Sequence, residues 1–342
     1  MLQSIIQKNI ICRTPFRISF FGGGTDLPSW FEKYKGQVIS TSIDKYCYVL
    51  IRNLPPINNF KYRLRYFKNE LTKSISQIKH PSIKAVLSKY HISNDSLELL
   101  YSADLPARSG LGSSSAFTVS LINTISNYHN KNLSKKEIAF KAIEIEQKIL
   151  RENVGSQDQI ACSVGGFNVI NFRADKIFLR KIKINKTKLD YLKLNLSIFF
   201  IGYPRNANEI EKEKIKTLKK KINYYENLYQ ISNEALKVLE LKNNVNFVND
   251  FSFLLNETWK IKKKLSSSVS NERINDIYEF ALKNGANAGK ILGAGGGGFM
   301  LFFSKNIEEK IRLIKSFKKL TNVNFNFEDT GTKIIYKKYE NK

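Results

Sequence analysis

The chain has 342 residues, long for one compact core and comfortable for two, so two domains sharing a cleft are expected. Its 42% hydrophobic content, with only 18 glycines and 7 prolines, excludes a low-complexity or disordered protein. The net charge of +26 admits a polyanion partner such as nucleic acid or an anionic membrane surface. Its lysines, however, gather on long helical stretches, Lys212 to Lys221 and Lys260 to Lys264, where a solvated face is the ordinary explanation and the charge helps attract phosphorylated substrates.

In chain order, Arg13 to Phe21 reads as a strand running into the cluster Gly22-Gly23-Gly24. Gln37 to Ile43 and Lys45 to Arg52 read as two further strands, and Tyr62 to Phe67 alternates with period two. Pro81 to Tyr90 predicts a helix and Leu97 to Tyr101 a strand. The loop Ala103 to Gly112 then opens an amphipathic helix, Ser113 to Tyr128. Ser134 and Glu137 form a capping box for a helix reaching about Leu150. Strands at Gly166 to Phe172 and Lys176 to Ile184 close the first half, and the polar stretch Asn185 to Leu192 is the expected boundary.

Beyond it come a strand at Leu196 to Gly202 and a lysine-rich helical region from Asn206 to Leu241. Helices follow at Asn246 to Leu265 and Glu272 to Lys283. A run of five glycines within Gly293 to Gly298 leads into the strand Phe299 to Phe303. A helix from Ile307 to Leu320 precedes strands at Val323 to Phe327 and Lys333 to Tyr336. Strands and helices interleave without a regular βαβ period, which predicts an α+β fold.

Cys12, Cys47 and Cys162 are odd in number and form no CxxC pair, which argues for a reducing compartment and against a structural zinc. The three histidines are scattered, and no transition-metal site is visible. The N-terminus lacks the continuous apolar core of a signal peptide, and no apolar run approaches the roughly 20 residues that span a bilayer. A cytoplasmic location is expected.

Three segments carry chemistry. Pro106-Ala-Arg-Ser-Gly-Leu-Gly-Ser-Ser-Ser-Ala116 opens directly into a helix; its glycines let backbone N–H groups approach a phosphate, and the helix N-terminus adds positive partial charge. A serine-capped helix start is the structural alternative. In Arg13-Thr-Pro-Phe-Arg-Ile-Ser-Phe-Phe-Gly-Gly-Gly-Thr-Asp26, a strand delivers a tight turn and a Thr-Asp pair to a place where a hydroxylated ligand or a helix cap would use them. In Gly155 to Phe167, Asp158 sits at a helix start, where a carboxylate is favoured. It either accepts a proton from a substrate hydroxyl or caps the helix. Gly293 to Gly298 holds more glycines than a structural loop needs, which predicts close approach to a ligand or another backbone.

The order and spacing of Arg13 to Asp26, Pro106 to Ala116 and Lys290 to Phe299 resemble the three motifs of the GHMP kinases, the superfamily of galactokinase, homoserine, mevalonate and phosphomevalonate kinases. The resemblance spans nearly the whole chain. It implies an α+β, two-domain GHMP kinase architecture. An N-terminal ATP-binding domain over residues 1–187, ribosomal protein S5 domain 2-like, would precede a ferredoxin-like α/β sandwich over 188–342. It implies ATP and Mg²⁺ as cofactors, with Arg108, Gly110, Leu111, Gly112, Ser113, Ser114 and Ser115 around the ATP phosphates. The metal would be held by Ser114 and by a glutamate of the preceding helix, for which Glu146 fits best and Glu144 competes. Asp158 matches the family's base and Arg17 the arginine beside it. Gly24, Thr25 and Asp26 match the sugar-binding segment.

Galactokinases carry Gly-Glu-His-Thr-Asp where this chain has Gly-Gly-Gly-Thr-Asp, so a different sugar pocket is implied. Gly-Gly-Gly-Thr-Asp-Leu-Pro and Gln-Asp-Gln-Ile-Ala-Cys-Ser-Val-Gly-Gly-Phe-Asn resemble the heptose-phosphate branch, which phosphorylates the anomeric hydroxyl of D-glycero-D-manno-heptose 7-phosphate for surface polysaccharide; fucokinases share parts of both strings. A heptose phosphate needs a cation for its distal phosphate, with Arg205 or Lys290 as candidates. The implied partners are ATP and a small sugar phosphate, with neither nucleic acid nor membrane; a homodimer is left open. The rival is a non-enzymatic nucleic-acid-binding protein, prompted by the charge and the aromatics, but those aromatics follow strand periods as core residues do.

Overall fold

The computed structural model describes residues 7–55, 57–203 and 207–340. The first layer begins with β1 (Gln7–Phe21), the short helix α1 (Pro28–Phe31), β2 (Gly36–Leu54), the hairpin β3 (Tyr62–Arg65) and β4 (Asn69–Thr72), α2 (Pro81–Tyr90) and β5 (Ser96–Ala103). It continues with α3 (Ser113–Tyr128), α4 (Lys135–Ile143), α5 (Gln157–Val164), β6 (Phe167–Phe172) and β7 (Ile177–Lys181). The second comprises α6 (Lys186–Asn195), β8 (Leu196–Gly202), α7 (Ala207–Thr217), α8 (Ile222–Glu240), α9 (Phe247–Leu265), α10 (Glu272–Lys283), β9 (Ala288–Ile291), β10 (Gly298–Phe303), α11 (Ile307–Ser316) and β11 (Thr321–Val323). Two last strands, β12 (Phe327–Glu328) and β13 (Lys333–Glu340), end the chain.

β1 and β2 form the long antiparallel spine of a nine-stranded sheet ordered β13-β1-β2-β5-β3-β4, with β6 and β12 also pairing β2 and β7 pairing β6. The two strands expected at Gln37 to Ile43 and Lys45 to Arg52 are one. The ladder with β1 shifts register between Pro15↔Tyr46 and Phe16↔Ile43, so a bulge at Asp44–Lys45 bends a single strand rather than ending it. The second sheet is antiparallel in the order β11-β8-β10-β9, with helices between its first and second and its third and fourth strands, a ferredoxin-like arrangement. β12 and β13, inside the expected 188–342 segment, return to the first sheet, where β13 pairs along β1 from Gln7↔Glu340 to Arg13↔Lys333.

Local signals explain much of this. Pro opens α1 and α2 at a position where its missing N–H costs nothing. The capping box is formed: Glu137 N–H donates to Ser134 Oγ at 3.2 Å and Ser134 N–H to Glu137 Oε2 at 2.7 Å. Ser134→Ala is therefore expected to lower stability by about 1 kcal/mol, read from the denaturation midpoint; an unchanged midpoint would show the cap to be redundant. The helix does not run evenly to Leu150, because Glu144–Ile149 form a π-helical turn. The polar stretch at Asn185 is a helix start, with Asn185 Oδ1 accepting from Lys188 N–H at 2.8 Å.

The helix expected to be amphipathic, α3, is buried almost all round. Several of its polar side chains bond within the core. Thr124 Oγ1 donates to the Ser120 carbonyl at 2.6 Å, and Asn123 Nδ2 donates to Thr332 Oγ1 at 3.1 Å. One face of α3 rests on β1 and β2, so its first turn is held rigidly at the mouth of the cavity described next.

Candidate active site

The loop 106–112 and the turn 293–298 lie side by side on a cavity of about 460 Å³. Gly110 has φ of +82°, and a Cβ there would lie 2.6 Å from the Leu292 carbonyl oxygen, so only glycine lets the two loops touch. Phe299 N–H donates to the Ser109 carbonyl at 3.1 Å, which ties them further. Gly112, left-handed at φ +76°, turns the chain into α3. The first intrahelical bond at this end, Ala116 N–H to the Gly112 carbonyl at 2.8 Å, leaves the N–H groups of Ser113, Ser114 and Ser115 at an open helix N-terminus beside the cavity. Ser113 Oγ accepts from Arg108 N–H at 3.0 Å and closes the loop, with Arg108 itself left-handed at φ +59°. Leu111 contributes backbone only: its side chain is in the core and its carbonyl accepts from Arg17 N–H at 3.0 Å.

Arg17, on β1, is buried and forms a two-pronged ion pair with Asp158 in the first turn of α5. Nε donates to Oδ1 and Nη2 to Oδ2, each at 2.7 Å. Its remaining nitrogen, Nη1, donates to the Gly110 carbonyl at 2.7 Å. One guanidinium thus joins the phosphate-loop candidate to the candidate base.

Asp26 is buried beside them. Its Oδ1 accepts from Gly24 N–H at 2.9 Å and its Oδ2 from Gln157 N–H at 3.3 Å. Gly155 packs flat on this carboxyl, since a Cβ there would fall 1.8 Å from Oδ2. Burial above all, with the nearby carboxylates of Asp158 and Glu211, pushes Asp26 from 3.8 up to about 6. Within that window the folded protein holds a proton that the unfolded chain has released, so rising pH removes stability. Thermal unfolding at graded pH is expected to show this fall in the wild type and a flatter profile in Asp26→Asn; equal slopes would contradict it.

Glu146, in the π-helical turn, is 1% exposed. Its Oε2 accepts from Ser115 Oγ at 2.9 Å and Gln159 Nε2 at 2.5 Å, while its buried Oε1 has no partner. Burial pushes it up to about 7. A buried carboxyl with one unsatisfied oxygen at the edge of a cavity suits a cation bound there, with the exposed Ser114 hydroxyl lining the same space. Glu144 does not compete: it pairs with Lys89 of α2 at 2.6 Å, outside the cavity.

One sequence expectation is corrected. Thr25 does not reach the cavity. Its side chain is fully buried, its hydroxyl donates to the Gly22 carbonyl at 2.8 Å and accepts from Gln37 N–H at 3.0 Å, and its task is to hold the turn. Lys290 lines the cavity, with two of its three Nζ donors given to the carbonyls of Ser19 and Phe20 at 2.9 and 2.7 Å, and burial lowers it from 10.5 to about 7. Arg205 lies outside the described residues.

Comparison with known proteins places this geometry. Residues 77–166 match the family model of the GHMP kinases N terminal domain, and residues 241–320 that of the GHMP kinases C terminal. The chain is 32% identical to D-glycero-alpha-D-manno-heptose 7-phosphate kinase of Campylobacter jejuni, over 95% of this chain and 98% of that one. The chain is a GHMP kinase.

A bifunctional fucokinase/GDP-fucose pyrophosphorylase of Arabidopsis thaliana is 23% identical over 86% of this chain but only 30% of its own length. The fold matches the crystal structure of a D-glycero-D-manno-heptose 1-phosphate kinase from Bacteroides thetaiotaomicron with a TM-score of 0.77, at 23% identity over 96% of this chain and 99% of that one. Being a GHMP kinase makes the protein an ATP-dependent kinase.

Sequence reasoning about this GHMP kinase missed Glu211 and Lys214 of α7 and Lys262 of α9, which also line the cavity. Lys262 left a signal: it continues the buried stripe Leu255, Trp259 and Leu265, where a solvated lysine does not belong. Glu211 and Lys214 left none within a segment of alternating charges. Among the described residues no helix is long and apolar enough to cross a membrane, and no group of three His, Cys, Asp or Glu side chains gathers as a metal cluster.

Proposed function

We propose that the protein transfers the γ-phosphoryl group of ATP to the anomeric hydroxyl of D-glycero-D-manno-heptose 7-phosphate, giving the 1,7-bisphosphate. The observation that carries this reading is the 32% identity with the Campylobacter heptose 7-phosphate kinase over almost the full length of both chains. The Arg17–Asp158 pair at the cavity supports it as the transfer site.

The open N–H groups at the start of α3 and the loop from Arg108 to Gly112 hold the ATP phosphates. Asp158 accepts the proton of the C1 hydroxyl as the O–P bond forms and the bond to the ADP oxygen breaks. Both of its oxygens keep a lone pair beyond the ones that Arg17 occupies. Arg17 fixes that carboxylate and ties it to the loop through Gly110, and Asp26 with Gly24 lines the acceptor side. Glu146 and Ser114 would hold Mg²⁺, which when bound neutralises phosphate charge. Residues 1–187 supply the phosphate loop and base, and 188–342 the opposite wall.

The test is ADP release with Mg-ATP across D-glycero-D-manno-heptose 7-phosphate, L-fucose, galactose, mevalonate and homoserine. Turnover on the heptose phosphate alone is expected. Turnover on L-fucose instead would move the protein to the fucokinases and end the heptose reading.

A further inference from the structure

The loop 106–112 and the turn 293–298 meet where the ion pair lies. A Cβ on Gly112 would fall 3.1 Å from Arg17 Cγ and 3.4 Å from Asp158 Oδ2, so Arg17 and Asp158 lie against the loop. A Cβ on Gly293 would fall 2.5 Å from Gly110 Cα, which sets the turn against the same loop. Lys262 of α9 reaches that turn, its Nζ donating to the carbonyls of Ile291 and Gly293 at 2.9 and 2.6 Å. Its amine thus stands beside Gly110, whose own carbonyl accepts from Arg17 Nη1.

Arg17 is offset by Asp158, so the pair brings little net charge to a phosphoryl group in transit. Lys262 is different: it is 8% exposed, and among the described residues no carboxylate forms an ion pair with it. An ammonium has three donors and the two carbonyls use two, so one N–H is left at the cavity that Lys262 lines. Burial drives Lys262 well below the ordinary lysine range, and an anion beside it would restore the charge. The neighbouring cations are committed elsewhere. Lys214 pairs with Glu211 at 3.0 Å. Lys290, 2% exposed, gives two donors to the Ser19 and Phe20 carbonyls of β1 and so ties the second sheet to the first.

We propose that Lys262 is a further catalytic residue, its third N–H contacting an oxygen of the γ-phosphoryl group of ATP while that group is transferred. The ammonium forms and breaks no covalent bond. It offsets charge on the phosphoryl oxygens as the bond to the ADP oxygen breaks and the bond to the acceptor hydroxyl oxygen forms, the hydroxyl proton going to Asp158. This rests on the reading above of Arg17 and Asp158 as the transfer site. The same amine anchors the turn that abuts Gly110, so a helix of the second layer completes a site whose base and loop belong to the first.

The experiment measures, with Mg²⁺ present, the dissociation constants of ADP and of the non-hydrolysable ATP analogue adenylyl imidodiphosphate in wild type and Lys262→Met. Affinity for the analogue is expected to fall about 10- to 100-fold, the size of one charge-assisted hydrogen bond, with ADP affinity unmoved because ADP lacks the γ-phosphate. With the heptose 7-phosphate as acceptor, kcat is expected to fall about 100- to 1000-fold. If Lys262→Met does not fold, Lys262→Gln, whose amide keeps two donors for the carbonyls, carries the same comparison. Equal losses for both nucleotides would make Lys262 a brace for the turn and overturn the assignment. An unmoved affinity for the analogue, or an unmoved kcat, would overturn it as well. A wild type that does not turn over the heptose phosphate would end the acceptor reading alone, since the two nucleotides are compared without an acceptor.

Discussion

Asp158→Asn is expected to lower kcat by about 10²- to 10⁴-fold, the usual contribution of a positioned base, while ATP binding is largely retained. The amide keeps an oxygen for one of the two Arg17 bonds but cannot take the hydroxyl proton. It also leaves a 3% exposed guanidinium without its counter-charge, so some loss of thermal stability accompanies the loss of rate. Because Arg17 also donates to the Gly110 carbonyl, a displaced guanidinium would loosen the phosphate loop. KM for ATP is the measurement that separates the two effects. A fall in kcat at constant ATP affinity identifies the base. Parallel loss of binding and turnover would make Asp158 a strut for the loop.

Glu146→Gln is expected to raise the magnesium concentration needed for half-maximal rate by about 10- to 100-fold, with the unfolding temperature in the absence of metal unchanged or higher. The second half follows from the site itself. Without a cation, Glu146 is a buried carboxyl pushed up to about 7 with one oxygen unpaired, so a neutral amide there costs the empty protein nothing electrostatically. Ser115 and Gln159 still have an acceptor oxygen to meet. Titration of activity with MgCl₂ at saturating ATP, beside thermal melts in EDTA, checks both halves. Unchanged magnesium dependence would remove Glu146 from the metal site, and a strongly destabilised metal-free variant would show its role to be structural.

Local chemistry made some elements readable from the chain alone. Helix starts at Pro81, Ser113, Ser134 and Glu272 are written in residues that act within one turn: proline at the first position, a glycine before the helix, a capping box, and Asn271 accepting from Ile274 N–H at 3.0 Å. The glycines of both loops were equally legible, because left-handed backbone and close contact between chains are demands that few other residues meet. So were Arg17, Asp26, Asp158 and Glu146 as candidates, through the order of their motifs. By itself, then, the sequence determined the α+β class, the glycine-rich loop at a helix start and the kinase family.

Only the tertiary structure decided which members of near-identical pairs face the cavity. Glu144 and Glu146 differ by two positions, and a π-helical turn sends one to Lys89 and the other inward. Thr25 and Asp26 are adjacent, yet a tight turn buries the first in backbone bonds and aims the second at the site. Among the lysines of α7 and α9, the two that line the cavity are those brought onto the carbonyls of Ala294, Ile291 and Gly293 by packing between helices far apart in sequence. The return of β13 to β1 joins residues more than 300 positions apart, a pairing that no local period encodes. The reason is common to all four: propensity and capping act over a few residues, whereas the direction a side chain faces is set by whatever the fold packs against it.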